Sequence, residues 1–355
     1  MPHVFVGMSG GVDSSVAALL LKQQGYEVSG VNLRLMASAE ETESQHCGSS
    51  QDAEDARRIA ERMGFSFYVF DRAGLFRDIV IQNFIDEYEA GRTPNPCVLC
   101  NRTVKFGALL EQVRSMDGDY LATGHYARIT RDEETGRFLL QRGADRKKDQ
   151  SYFLYMLTQE QLAHTLFPLG GLTKDEVRAI AEENDLVNAK KKDSQDICFV
   201  PDGDYAAFIE KTTGRISPTG AFLNLEGNVL GQHKGFIRYT RGQHKGLGLP
   251  TAAPLYVQSK DPVTCAIRLG PDSALWSSEL IAKNMNWISV ENPQIPLRVT
   301  AKTRYSQKES AATVEPMADG FARVVFDEPQ RAITAGQAVV LYDGETVVGG
   351  GTICE

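Results

Sequence analysis

The sequence predicts an α/β protein in which an N-terminal Rossmann-like parallel-sheet domain is followed by a small central mixed domain and a C-terminal β-barrel. In the first part of the chain, short apolar runs alternate with segments of helical spacing, which is typical of a parallel sheet with helices on both faces. Beyond Leu280, short β-rich runs are separated by turn residues, which favours a small closed barrel. A chain of 355 residues is long enough for several domains. We expect their boundaries at residues 1–202, 203–275 and 276–355.

The α/β alternation begins at the first residues. An apolar run at 4–6 predicts a strand, and helical spacing begins at Val12 and ends at Gly25. Further strands are expected at 28–35, 65–70 and 120–123, with helices at 51–63, 75–90 and 102–116. A hairpin at 127–142 and helices at 174–184 and 204–211 precede the turn-rich second half.

The composition is that of an ordinary globular protein, with 42% hydrophobic and 24% charged residues. Apolar runs fall far short of a membrane span, the N-terminus enters a strand directly, and six cysteines do not suggest a disulfide scaffold. We therefore expect a cytoplasmic protein. The net charge of −8 argues weakly against a nucleic-acid partner, but residues 230–260 contain five Lys or Arg and no Asp or Glu. That segment permits a phosphate-rich polymer on one face.

The segment SGGVDSS, residues 9–15, lies between the first strand and the first helix. A glycine-rich turn at a helix N-terminus gathers backbone N–H groups around an anion, and serine hydroxyls add donors. An ordinary glycine turn with a capping serine is the alternative. The Walker pattern is absent because no lysine follows the glycines. The full string instead resembles the signature of the PP-loop ATP pyrophosphatases, which split ATP between the α and β phosphates.

Two cysteine segments carry further candidate chemistry. Cys97 and Cys100 form a CxxC pair that we expect in a proline-flanked loop before a helix, where a thiol pKa is lowered. Half of a zinc site, a redox couple and a single reactive thiol all fit that spacing, and composition does not rank them. Cys198 lies in ICFV, which is compatible with an inert core strand or with an edge or loop that opens into a site.

Together with the loop, motifs spread over the whole chain make it similar to the tRNA-specific 2-thiouridylases. They include GMSGGVDSS, GRTPNPCVLCN, KFG, ATGHYAR, KDQSYFL, KDSQDICF, TRGQHKGLG, RYSQ and QRAITAGQ, in order from residue 7 to residue 337. The resemblance implies a cytoplasmic enzyme that 2-thiolates the wobble uridine of tRNA through an adenylated uridine and a cysteine persulfide, releasing AMP and pyrophosphate. It also implies a PP-loop (HUP) domain at the N-terminus, tRNA as substrate and a persulfide-carrying donor protein as partner.

The resemblance also implies roles for individual residues. Cys100 corresponds to the nucleophile and Cys198 to the cysteine that carries the persulfide, and Asp13 is a candidate for holding Mg²⁺. ATP would be bound by Gly7, Met8, Ser9, Gly10, Gly11, Val12, Asp13, Ser14, Leu33 and Gly124. The target base and tRNA would contact Asn95, Pro96, Cys97, His125, Lys148, Asp149, Gln150, Arg304, Tyr305 and Gln337.

One position departs from the family. Some members have Asp where this chain has Cys97, and a cysteine does not act as the same acid–base group at neutral pH. Either that Asp is dispensable or Cys97 takes part in thiol chemistry. We expect ATP and Mg²⁺ and no permanent cofactor, with an iron–sulfur cluster on Cys97, Cys100 and Cys198 as the alternative. A different PP-loop ligase or thiolase, and a metal-stabilised RNA-binding protein with a vestigial loop, are the rival functions.

Overall fold

A computed structural model describes residues 1–36, 50–189, 191, 197–200, 202–250 and 253–354. Its N-terminal part is built on a five-stranded parallel sheet in the order β3-β2-β1-β4-β7. The strands are β1 (His3–Gly7), β2 (Glu27–Arg34), β3 (Phe67–Asp71), β4 (Tyr120–Thr123) and β7 (Thr165–Leu166). The central strand β1 is buried, as its apolar run predicts. The predicted parallel sheet is confirmed.

Helices cover this sheet. They are α1 (Val12–Gln23), α2 (Ser50–Met63), α3 (Ala73–Phe76), α4 (Gln82–Glu89), α5 (Pro96–Cys100), α6 (Leu110–Arg114), α7 (Gln159–Ala163) and α8 (Lys174–Glu183). Two segments of π-helix, Arg77–Ile81 and Asn101–Leu109, join α3 to α4 and α5 to α6. The expected helices at 75–90 and 102–116 are therefore longer than predicted at their N-terminal ends, and each contains a π segment.

The central part contains helix α9 (Tyr205–Thr213) and a four-stranded sheet in the order β10-β11-β8-β9. The strands are β8 (Gly220–Leu223), β9 (Val229–His233), β10 (Tyr256–Asp261) and β11 (Ala266–Gly270). Its core is not separate from that of the N-terminal part. Phe222 and Val257 of the small sheet belong to the same buried cluster as Phe76 and Phe84 of the neighbouring helices. A sheet of this size is too small to form a core of its own, so it packs against the helices of the N-terminal part.

The C-terminal part is a six-stranded antiparallel barrel in which the order β12-β15-β14-β13-β16-β17 is closed by pairing of β12 with β17. The strands are β12 (Trp276–Trp287), β13 (Leu297–Lys302), β14 (Ser310–Pro316), β15 (Ala322–Arg331), β16 (Ala338–Asp343) and β17 (Thr346–Ile353). The hairpin β5 (Ala127–Arg131) and β6 (Phe138–Arg142) pairs with β17 through Gln141 and Thr346. The predicted barrel is confirmed, and a hairpin of the N-terminal part extends its sheet.

Within the described ranges, none of the helices combines the length and the apolar character that a bilayer span requires.

Candidate active site

The glycine-rich turn connects β1 to α1 at the carboxyl edge of the parallel sheet. Gly10 has a φ of +70°, and a Cβ at this position would lie 2.6 Å from the carbonyl oxygen of Asp52. Only glycine therefore fits there without strain. Gly11 is the N-cap residue of α1, and no side chain caps the helix. The first N–H groups of α1 consequently face the concave side of the turn, as an anion site requires.

The serines of this turn divide into two groups. The hydroxyls of Ser14 and Ser15 donate to the carbonyl oxygen of Gly11 at 3.1 and 3.0 Å, so they shape the loop from within. Ser9 instead borders the large cavity described below. Of the serine hydroxyls that the sequence offers as donors, that of Ser9 therefore has the most direct access to a bound phosphate.

Asp13 lies in the first turn of α1, and its carboxylate is held by two donors. Lys174 Nζ and the Tyr126 hydroxyl both donate to Asp13 Oδ1, each at 2.7 Å. The Lys174 side chain is only 8% exposed, whereas that of Asp13 is 30% exposed and borders the cavity. The carboxylate that the sequence proposes for a metal therefore already belongs to an ion pair.

The CxxC segment is helical rather than a loop. Helix α5 begins at Pro96, a favoured first residue, and the Asn95 side chain accepts a hydrogen bond from Val98 N at 3.4 Å. Cys97 is exposed and Cys100 is 7% exposed, and both border the cavity. The helix continues directly into the π segment Asn101–Leu109. π segments occur frequently at functional sites.

Cys198 lies in a turn, not in a core strand. The turn is closed by a hydrogen bond from Val200 N to Ile197 O at 2.8 Å. Phe199 anchors it in an aromatic cluster, with ring centroids 5.6 Å from Phe76 and 5.1 Å from Phe84. The side chain of Cys198 is partly exposed and borders the same cavity as Cys100. Of the KDSQDICF motif, residues 192–196 lie outside the described ranges.

One cavity of about 640 Å³ connects these elements. It brings together the following residues singled out in the sequence: Ser9, Gly11, Val12, Asp13, Pro96, Cys97, Cys100, His125, Lys148, Gln150, Cys198 and Tyr305. The phosphate loop and the cysteines of two distant segments thus face one space. Among the described residues, no three His, Cys, Asp or Glu side chains are arranged to hold a metal ion by themselves.

The cavity is rich in positive charge. Lys105, Lys147, Lys148 and Lys191 line it, against the carboxylates of Asp13 and Asp52. Lys191 Nζ donates to Asp52 at 2.8 Å and to Asp55 at 3.1 Å. Burial alone would lower the pKa of Lys191, but these two carboxylates outweigh it and raise that pKa. An excess of lysine over carboxylate around a space of this size suits a polyphosphate or nucleic-acid ligand.

His125 borders the cavity as a neutral imidazole. Burial, followed by the nearby charge of Lys105, lowers the His125 pKa well below its ordinary value. Its Nδ1 lies 2.7 Å from the Thr123 hydroxyl, and the ring packs against Phe106 and Phe167. At neutral pH this side chain therefore offers a hydrogen bond or a stacking surface rather than a charge.

Other candidate ATP residues lie beside the cavity rather than on its wall. Leu33 is packed between two buried clusters, and Leu35, two residues further along, borders the cavity. Gly124 lies against the phosphate loop, since a Cβ there would be 2.8 Å from Ser14 N. Gly7 and Met8 belong to β1 and the turn after it, where Met8 N donates to Val31 O.

Three candidate tRNA residues form hydrogen bonds within the protein. Asp149 is 6% exposed and accepts from Gly143 N and Ser151 N, both at 3.1 Å. Arg304 donates to Ala332 O at 2.7 Å. Gln337 of the barrel donates to the carbonyl oxygens of the segment that precedes α5. By contrast, Tyr305 is partly exposed and packs on Phe153 at the cavity, with ring centroids 4.5 Å apart.

Several residues at the site are not indicated by the sequence. Lys105 and Tyr126 lie inside recognisable strings, KFG and ATGHYAR, so a signal for them existed. Asp52 and Lys174 stand at the beginnings of ordinary amphipathic helices, and nothing local marks them. Lys174 reaches Asp13 across a sequence separation of 161 residues. Only the packing of α8 against α1 creates that contact.

Three family models match the chain. They are described as a tRNA methyl transferase HUP domain (residues 2–202), a tRNA methyl transferase PRC-barrel domain (206–271) and an aminomethyltransferase beta-barrel domain (277–353). Curated relatives named tRNA-specific 2-thiouridylase match almost end to end. That of Clostridioides difficile (strain 630), MnmA, is 50% identical over 351 residues, covering 99% of this chain and 97% of the relative. MnmA 1 of Caldanaerobacter subterraneus subsp. tengcongensis is 51% identical over 354 residues, covering 99% and 97%.

Solved structures are more distant. The U34-tRNA thiolase NcsA from Methanococcus maripaludis with its [4Fe-4S] cluster is 22% identical over 59% of this chain and 66% of that chain, with a TM-score of 0.35. A likeness of this size carries no argument about activity.

Proposed function

The chain belongs to the tRNA-specific 2-thiouridylase family, and from that premise we propose that it adenylates a wobble uridine of tRNA with ATP and then replaces the C2 oxygen with sulfur from a cysteine persulfide. It is a tRNA sulfurtransferase that thiolates tRNA. The observation that carries the finer proposal is the single cavity bordered by the phosphate loop, Cys100 and Cys198.

The family models are described as methyl transferases, whereas the relatives are named thiouridylases. The site favours sulfur transfer. Methyl transfer requires neither a pyrophosphate cradle nor two thiols from separate segments at one cavity. Both features have a purpose when an oxygen must be activated and then exchanged for sulfur.

ATP solves the first chemical problem, because the C2 oxygen of uracil is a poor leaving group. The uridine oxygen attacks the α-phosphorus of ATP as the N3 proton of uracil passes to solvent, so a C2–O–P bond forms while the bond to the β-phosphate breaks and pyrophosphate leaves. A proton returns to the base when 2-thiouridine is released. The N–H groups at the start of α1 and the lysines of the cavity wall are positioned to neutralise the charge that develops on pyrophosphate. Asp13, whose carboxylate is a hard ligand at the cavity, would hold Mg²⁺ there. When bound, the ion supplies further charge neutralisation.

A persulfide on Cys198 supplies the sulfur. The terminal sulfur of the persulfide attacks C2, and AMP departs with the former C2 oxygen. Anchoring of Phe199 in the aromatic cluster keeps the Cys198 turn at the cavity wall, so that sulfur and base approach at a fixed geometry. A persulfide-carrying protein is the source that reloads Cys198 between turnovers.

Cys100 completes the transfer. Its thiolate attacks the Cys198 sulfur, a Cys100–Cys198 disulfide forms, and the bond to the transferred sulfur breaks, leaving 2-thiouridine. A thiol reductant then restores both cysteines. In the alternative order, Cys100 attacks first and releases sulfide, which then attacks C2.

The target uridine must leave the anticodon stack to enter the cavity. Tyr305 and Phe153 form an aromatic wall on which an unstacked base can rest, and Lys147 and Lys148 border the same opening. The barrel contributes Tyr305 and the N-terminal part contributes the lysines. We therefore propose that tRNA contacts both parts of the molecule.

Reconstitution tests this proposal. The purified chain, ATP, Mg²⁺, a persulfide donor and unmodified tRNA are combined, and the digested nucleosides are examined by mass spectrometry. We expect 2-thiouridine that depends on ATP. A parallel reaction with S-adenosylmethionine should yield no methylated nucleoside. Thiocytidine would indicate a different thiolase, and tRNA binding without any product would indicate an RNA-binding protein.

A further inference from the structure

The phosphate loop contains a carboxylate but no cation of its own. Residues 9–15 include Asp13 and no Lys or Arg, whereas a Walker loop carries its own lysine. In the folded chain the loop carboxylate is paired with Lys174, whose Nζ lies 2.7 Å from Asp13 Oδ1 and whose side chain is 8% exposed. A buried lysine next to a phosphate cradle calls for an explanation, because burying an ammonium group is costly.

The position of Lys174 is fixed by its own helix. It is the first residue of α8, directly after Thr173, which forms a capping box with Glu176. The backbone N–H of Lys174 donates to Asp145 Oδ2 at 3.0 Å. The Tyr126 hydroxyl reaches the same carboxylate oxygen as the ammonium group. Asp13 is therefore held by side chains from two separate segments of the chain.

We propose that Lys174 is a positioning residue that neutralises Asp13 and so keeps the phosphate loop free of net negative charge. The proposal rests on the ATP use proposed above. Asp13, not Lys174, borders the cavity, so the lysine acts through the carboxylate. Without Lys174 an uncompensated carboxylate would face the polyphosphate, and repulsion across a partly buried site is strong.

Binding of Mg²⁺-free ATP and of adenosine to the full chain tests this proposal by calorimetry. Lys174→Met should weaken ATP binding by about tenfold, because one unpaired charge near the polyphosphate is introduced. Adenosine, which lacks phosphates, should bind within about twofold of wild type, since charge repulsion does not apply to it. The double variant Asp13→Asn with Lys174→Met should recover most of the lost ATP affinity. Lys174→Arg should retain it.

If Lys174→Met weakens the binding of ATP and the binding of adenosine equally, the lysine only maintains local structure. That result would overturn the proposal. A double variant no better than Lys174→Met would overturn it too. If Lys174→Met does not fold, Asp13→Asn alone still tests the idea, because it should bind Mg²⁺-free ATP at least as tightly as wild type. Weaker binding by Asp13→Asn contradicts the proposal. Wild type that binds ATP neither without nor with Mg²⁺ would instead refute the proposed function.

Discussion

Gln337, on the barrel, donates its side-chain amide to the backbone carbonyl of Thr93 at 2.9 Å, and also to that of Pro94 at 3.1 Å. Thr93 N in turn donates to Ala335 O at 2.9 Å. The fit is close, because a Cβ on Gly336 would lie 2.9 Å from Thr93 O. The barrel is therefore hydrogen-bonded to the segment that precedes α5, the helix of Cys97 and Cys100. These hydrogen bonds tie the position of the barrel to that of the segment that precedes the reactive thiols.

Gln337→Ala should lower the rate constant of thiolation more than it weakens tRNA binding. Two hydrogen bonds to backbone are lost, each contributing about 1 kcal/mol, so the α5 segment is less well fixed. We expect kcat to fall by about tenfold with KM for tRNA nearly unchanged. Gln294→Ala, an exposed glutamine on the same part of the molecule, is the matched control. A large rise in KM alone would favour direct contact of Gln337 with tRNA, as the family resemblance implies.

Cys100→Ser and Cys198→Ser should each abolish 2-thiouridine formation while leaving tRNA binding nearly intact. A serine hydroxyl neither carries a persulfide nor attacks one at neutral pH. Cys265→Ser removes a thiol in the turn that joins β10 to β11 and should retain activity. Binding is measured by gel shift and product by nucleoside mass spectrometry. Substantial thiolation by either variant would remove that cysteine from the mechanism.

Cys97→Asp separates the two hypotheses for this thiol. If sulfur moves only between Cys198 and Cys100, the variant should thiolate tRNA at a rate within about threefold of wild type, because the aspartate occupies an exposed position. Iron and acid-labile sulfide, measured in protein purified without oxygen, should be absent from both. If an iron–sulfur cluster is bound by Cys97, Cys100 and Cys198, the wild type will contain iron and the variant will lose both iron and activity.

Lys260 should make stability depend on pH. Burial lowers the pKa of Lys260 from 10.5 to about 8. The Lys260 ammonium group donates to Tyr239 O and lies over the ring of Phe236. Between those two values the unfolded chain binds the proton and the folded chain does not, so unfolding free energy rises with pH there. The gain is at most about 3 kcal/mol.

Urea unfolding of wild type and Lys260→Met at about pH 7 and about pH 10 measures this difference. Lys260→Met should have a larger unfolding free energy than wild type at the lower pH. That difference should disappear at the higher pH. Lys234→Met, at an exposed position on the same part of the chain, is the control. An advantage that does not change with pH would show that Lys260 is charged to the same extent in the folded and unfolded chains.

The fold class could be predicted from the sequence because strands, helices and turns are indicated by local residue patterns. Apolar runs and turn residues predicted the parallel sheet and the barrel, and the string from Ser9 to Ser15 marked the phosphate turn. That turn follows the carboxyl end of β1, where ligands of parallel sheets bind, and the cavity lies there.

The features that the sequence analysis did not indicate depend on one local helix cap and on contacts between distant segments. The start of α5 at Pro96, in place of a loop, follows from the Asn95 cap and a proline that fits the first helical turn. The ion pair of Asp13 with Lys174 and the contact of Gln337 with Thr93 join residues separated by 161 and 244 positions. No periodicity encodes such pairs. The ligand roles of these residues therefore stay predictions until they are tested with ATP and tRNA.

The most direct test of the central claim is a single turnover of enzyme whose Cys198 carries an isotopically labelled persulfide, with ATP and unmodified tRNA. The account predicts labelled 2-thiouridine, one AMP for each thiouridine formed, and a Cys100–Cys198 disulfide in the non-reduced peptide map. Labelled 2-thiouridine that forms without AMP release, or that carries unlabelled sulfur, would contradict it.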